Sequence, residues 1–313
     1  MASTQNPRSE PPSDKSTGLI CLGMALLCFA SVPVFLKYFT SILDSWTVNG
    51  VRYTIGALFW MPFVLSHRRG DPALRGIWRA AIVPAAINLV GQATFAFAPY
   101  YNDATLMSFV LRMSFLFTTV FGFWLLREER DLAKSPTFWI GASGLVLGVL
   151  LLYRGGPQVQ DASLFGLTLL LFTSACWGLY SVVIRTNMSR YSVRLSFGVI
   201  SLYTAVGLLI MMLVCGHWQQ LADIDWAQWG WLALSGLLGI SFAHVLIYRA
   251  ILSLGPIVTV GGASLVPLLT AGGAWLVLGE RMRLMQWSGG AILLAGCFCL
   301  VFAKTRTHRQ SQN

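Results

Sequence analysis

Apolar residues in this chain fall into ten long, continuous runs separated by short polar connections, without the every-second-residue alternation of half-buried strands. About 20 apolar residues at a rise of 1.5 Å each cross a hydrocarbon core, and a helix satisfies its own backbone groups there. The runs predict helices at about Gly18–Phe39, Trp46–Leu65, Ala80–Tyr100, Ala104–Leu126, Pro136–Tyr153, Leu164–Arg185, Val193–Cys215, Ala227–Arg249, Pro256–Gly279 and Gln286–Ala303. Residues 1–17 are polar and rich in Pro and Ser, which predicts a disordered tail. The first run is longer than a signal-peptide core, so an uncleaved span is expected. No connection has room for a soluble domain. The expected fold is an all-α integral membrane protein with ten transmembrane helices.

Composition agrees with that reading. The 313 residues are 56% hydrophobic and 11% charged, with mean hydropathy +0.65, whereas soluble domains carry about 25% charged residues. A net charge of +10 invites a nucleic-acid reading, but the basic residues sit in short loops and form no basic-aromatic face. One side of the membrane collects the basic residues of the N-tail, the 2–3, 4–5 and 6–7 loops, the end of helix 8 and the C-tail. The other carries only Lys37, Arg154, Arg281 and Arg283. That asymmetry predicts both termini in the cytoplasm and a multi-pass protein of the plasma (inner) membrane. The six cysteines fall within or at the ends of apolar runs and make no ligand box with His, so they read as small core residues.

The two halves repeat. Sliding the chain by 151 residues sets TVFGFWLLREER of helix 4 over TAGGAWLVLGER of helix 9, aligning Thr119/Thr270, Gly122/Gly273, Trp124/Trp275 and Glu129/Glu280. A slide of 148 pairs Gly141/Gly289 and Gly148/Gly296 in helices 5 and 10, and Cys28/Cys176 and Lys37/Arg185 in helices 1 and 6. Five helices per unit, an odd number, force opposite orientations: two inverted five-helix repeats, residues 18–153 and 164–303, before a cytoplasmic tail 304–313. Such repeats recur in secondary transporters, which bind near the midplane between them.

These features are similar to the EamA-type drug/metabolite transporter superfamily, over about residues 18–303. LLREER and LVLGER end helices 4 and 9, and ACWGLYSVVIR in helix 6 resembles that family's Trp-Gly signature. Arg52 and Pro267 stand where the family commonly carries an arginine and a proline. The first repeat departs from the pattern, with Phe29 and Ala30 for the Trp-Gly and Leu116 for the helix 4 proline. The resemblance implies export of amino acids or small metabolites.

Candidate site residues follow from polarity at depth. Arg112 lies about 12 Å into helix 4 with no acid within four residues, so it either faces a central cavity or ties to backbone carbonyls. Arg52 is nearer a helix end, where snorkelling to the interface is cheaper, so a structural role is expected for it. Asn88 and Gln92 share a face of helix 3, and His244 and Tyr248 a face of helix 8; each pair could meet substrate or bridge helices. His244 suits proton coupling by its ordinary titration range. Trp177 and Tyr180 could wall an amphipathic substrate. Glu129 and Glu280, each beside a basic residue, read as solvated ion pairs at helix ends or as gates, with Pro33 and Pro267 as further gating candidates. The glycine pairs permit close helix approach within the protomer or at a homodimer seam. No phosphate loop, metal-spaced set or intramembrane acid pair is visible, so no cofactor, metal or catalysis is expected. The expected partners are the lipid bilayer and a small anionic or zwitterionic solute. A membrane-embedded enzyme or a carrier of lipid-linked or nucleotide-sugar substrates is the rival reading.

Overall fold

The computed structural model describes residues 15–66, 74–156 and 160–310. Residues 1–14, the 67–73 connection with Arg68 and Arg69, 157–159 and 311–313 lie outside them. The long elements are α1 (Lys15–Phe39), α2 (Ser45–Leu65), α3 (Ile77–Phe97), α4 (Ala104–Val110), α5 (Met113–Leu125), α6 (Pro136–Gly155) and α7 (Gln160–Asn187). They continue as α8 (Val193–Cys215), α9 (Trp226–Gly236), α10 (Ala243–Leu254), α11 (Pro256–Ala263), α12 (Val266–Leu278) and α13 (Leu284–Gln310). Among the described residues no strand occurs. Among the described residues, nine spans are long and apolar enough to cross a membrane: α1, α3, α4 with α5, α6, α7, α8, α9 with α10, α11 with α12, and α13.

The remaining helix, α2, has 21 residues and reaches about 31 Å, but it is the most polar of the set. Its polar groups point into the bundle. Asn49 Nδ2 donates to the Gln92 carbonyl at 2.8 Å, Arg52 Nε to Ser235 Oγ at 2.6 Å, and Thr54 to its own helix. Asp44 caps its start by accepting from the Trp46 and Thr47 amides at 2.9 and 3.1 Å, and it also accepts from His217 N at 2.9 Å. Burial pushes the Asp44 carboxyl up, but these hydrogen bonds outweigh it and hold the group below the usual carboxylate range.

Two helices expected to be continuous are interrupted. Helix 4 divides at Leu111–Arg112 and helix 9 at Ser264–Leu265. Helix 8 stays continuous but contains one π segment, Leu237–Phe242.

The packing repeats when the units α1–α6 and α7–α13 are exchanged. The contact of α3 with α7 has its counterpart in α10 with α1, that of α5 with α7 in α12 with α1, and that of α3 with α8 in α9 with α2. Glycines set the tightest seam, α6 against α13. A Cβ at Gly141 would stand 2.9 Å from the Gly296 carbonyl oxygen, and one at Gly148 2.7 Å from that of Gly289. The partner of Gly141 is thus the repeat-mate of Gly148, and the two helices run antiparallel. Both glycine pairs are engaged within the protomer, which decides between the two uses the sequence left open.

Candidate functional site

The interruption of helix 9 begins with Pro267. Proline has no N–H, so the carbonyl four residues back, on Ala263, loses its helical donor. Ser264 and Leu265 turn back to Gly261 and Gly262 at 3.2 and 2.9 Å instead. The freed Ala263 carbonyl accepts a hydrogen bond from Arg112 Nη1 at 3.1 Å. Arg112 stands at the interruption of helix 4, where the amides of Arg112, Ser114 and Phe115 bond three residues back rather than four. Under the 151-residue slide, Arg112 and Ala263 are equivalent positions, so this bond joins the two units at corresponding points. The guanidinium carbon lies 5.9 Å from the Phe115 ring centroid, and Nε is buried without a partner. A buried guanidinium held by so few acceptors is costly unless something else completes it.

A second cluster forms after the π segment. That segment has a carbonyl of Leu238 accepting from Ala243 N five residues on, so one surplus residue rotates everything downstream. Trp60 Nε1 donates to the Ile240 carbonyl at 3.3 Å. Arg52 braces the turn before it through Ser235. Only 2% exposed, Arg52 does not snorkel: its acceptor lies inside the bundle, 183 residues away in the chain. Downstream, His244 stacks on Phe197 with ring centroids 3.9 Å apart, meets Phe29 edge-on at 5.4 Å, and faces Tyr248 at 6.2 Å. Its Nδ1 is buried. Tyr180 lies near Tyr248 and Tyr53, and Tyr53 hydrogen-bonds Asn88. Asn88 Nδ2 also donates to Thr204 Oγ1 at 3.0 Å, tying α3 to α8.

His244, Tyr248, Tyr180 and Asn88 therefore come together. Phe29 links them to the first cluster, since it meets His244 and packs in the same apolar cluster as Ala263. Trp177 and Gln92 stand apart. Trp177 fills the α3–α7 seam against Gly91 and edge-on to Phe95 at 5.1 Å, and Gln92 offers its carbonyl to Asn49. Pro33 interrupts the bonding of α1 near Phe29 by the same missing N–H. Phe197, Tyr53 and Ala263 carried no local signal in the sequence, and Phe29 stood out only as a departure from the Trp-Gly signature.

Glu280 is not a solvated helix-end acid. Its Oε1 accepts from Ala104 N at 2.8 Å, and its Oε2 from Thr105 N at 3.1 Å and Thr105 Oγ1 at 2.8 Å. It thus caps α4 from the opposite unit, at a helix start whose positive end favours an anion. Burial pushes the neighbouring Asp103 carboxyl up, and Glu280 adds to this while Lys37 opposes it. Lys37 Nζ donates to the Pro99 carbonyl at 2.8 Å, and Thr270 Oγ1 bonds Ala30 O at 3.1 Å and Ser108 Oγ at 3.0 Å beneath. The Glu129 side chain lies outside the described residues.

An apolar groove of about 470 Å³, floored by Ala30, Val34 and Gly273, opens between α1, α9 and α12. Its lining suits lipid rather than a charged solute.

A single family model, described as the EamA-like transporter family, matches the chain twice, over residues 16–154 and 164–302. The chain belongs to this family. The double match makes each half of this EamA protein one copy of the same unit, and makes the protein a multi-pass membrane transporter of the drug/metabolite transporter superfamily. Twenty-three chains of solved structures match. One, described only as a crystal structure of a protein, is similar with a TM-score of 0.64 at 16% identity, over 94% of this chain and 99% of its own. That likeness concerns the fold alone. No match was found among curated proteins.

Proposed function

We propose that this EamA protein is a secondary transporter that exports small anionic or zwitterionic organic metabolites by alternating access between two inverted five-helix units. The observation that carries the reading is Arg112: a guanidinium between the two interrupted helices, with one backbone acceptor and a buried, unpartnered Nε. A carboxylate or similar anion supplies the missing acceptor, and binding it there contacts both units at once. Membership in a transporter family and membrane-length helices support transport. The exchange symmetry of the packing and the antiparallel glycine seam support ten spans in inverted repeats, with α2 as the tenth. The distribution of Lys and Arg supports cytoplasmic termini in the plasma (inner) membrane, which puts the Asp103–Glu280 end outside. His244 and its ring partners provide a wall for the uncharged part of the solute, and its imidazole makes it the candidate for proton coupling.

The test is binding by purified protein, screened against amino acids, polyamines and nucleotide-sugars, read beside a melting curve. Arg112→Leu abolishes binding and leaves the melting temperature near that of the parent, while Arg112→Lys restores part of the affinity, because an ammonium cannot grip a carboxylate in two places. An Arg112→Leu protein that transports normally refutes the anionic site. Selective binding of nucleotide-sugars instead moves the substrate to the rival class.

A further inference from the structure

Glu280 makes three hydrogen bonds to the start of α4, and they depend on what stands at that helix's first two positions. Ala104, at the first, offers its N–H; Thr105, at the second, offers both N–H and hydroxyl. The corresponding helix of the other unit is α11, whose cap is Gly255 and whose first two residues are Pro256 and Ile257. Proline has no N–H and isoleucine no hydroxyl, so two of the three donors are missing. The N–H of Gly255 is already committed to the Ile251 carbonyl at 2.9 Å. The first two residues of α11 thus offer one of the three donors that the start of α4 gives Glu280.

We infer that Glu280 is an outer latch stronger than any the inner end can form, and that this imbalance sets the resting state of the transporter to outside-closed. The inference rests on the orientation proposed above and deepens it. Two inverted units of equal strength would favour neither side. Here the outside-closed state gains a charge-assisted cap with two donors more than the start of α11 offers the inside-closed state. The empty carrier therefore waits open to the cytoplasm, the side from which an exporter loads.

The experiment uses the full chain in intact cells, with a Val34→Cys reporter in a Cys215→Ser background. Val34 is buried beneath the latch against Ala104 and Ala274, while Cys215 is exposed near the same end. A membrane-impermeant maleimide added outside labels the reporter slowly in the latched parent. Glu280→Gln removes the charge and raises the labelling rate about 5- to 30-fold, the range for loss of one or two kcal/mol. Pro256→Ala restores an N–H at the far end of the molecule and raises labelling at Val34 in the same direction, without touching the latch itself. Unchanged labelling in Glu280→Gln at the parent's melting temperature overturns the latch. A Pro256→Ala protein, folded by the same criterion, that labels no faster overturns the imbalance. If Cys215 of the wild-type chain reacts only from the cytoplasmic side, the proposed orientation is wrong, and the same labelling applied from that side still reads the latch.

Discussion

The two interrupted helices, α4–α5 and α11–α12, descend from one pattern and meet at Arg112 and Ala263, yet they do different work there. In α11–α12 a proline strips a carbonyl of its donor; in α4–α5 the equivalent stretch has Leu116 and keeps its N–H. The first helix thus exposes an acceptor, and the second supplies the charged donor that reaches it. The difference teaches that a duplicated unit can build a binding site by dividing the parts. A proline in both halves would give two bare carbonyls, and an arginine in both would give two buried charges with nothing to hold them.

That division can be broken most sharply at its source. Pro267→Ala returns an N–H to the Ala263 carbonyl, so Arg112 loses its acceptor and α11–α12 straightens. Pro267 sits in the first turn of α12, where proline costs little, so its removal should leave stability nearly unchanged. The expected protein melts no lower than the parent and transports at least about tenfold more slowly, a prediction checked by uptake into vesicles beside thermal unfolding. Moving the arginine is the next test. In Arg112→Ala/Ala263→Arg the guanidinium faces a helix whose Arg112-position carbonyl already accepts from Phe115 N at 3.0 Å. An unpaired buried charge should cost about 3–5 kcal/mol, read as a fall in denaturation midpoint. The smallest effect compares the paired threonines. Thr270→Val loses two bonds to other helices and should cost about 1–2 kcal/mol, whereas Thr119→Val loses one within its own helix and should cost less than about 0.5 kcal/mol.

Length and polarity located the long helices from sequence, and the 151-residue slide aligned the two halves. The interruptions were not legible. Helix 4 contains no proline, and in helix 9 the proline follows the break, because its effect falls on a carbonyl four residues earlier. Depth marked Arg112, but its partner is 151 residues away and is a backbone atom, to which side-chain patterns are silent. The partners of Glu280 were hidden for a related reason. Arg281 stands beside it in sequence, while the groups that bind it lie in the other unit. Arg52 was read as structural, but toward the interface rather than inward, because depth along its own helix says nothing of how far the bundle extends around it.

The glycine seam between α6 and α13 bears on how freely relatives of this chain can diverge. Gly148 and Gly289 approach each other's carbonyls so closely that even alanine demands a backbone shift. Trp124, Trp275 and Leu276, by contrast, are well exposed and have room to change. Descendants that keep the fold should therefore drift on the outer faces of α5 and α12 while these glycines stay fixed. A substitution at one should survive only with a matching change on the helix it faces, so the seam should be traceable as paired changes between two stretches about 150 residues apart.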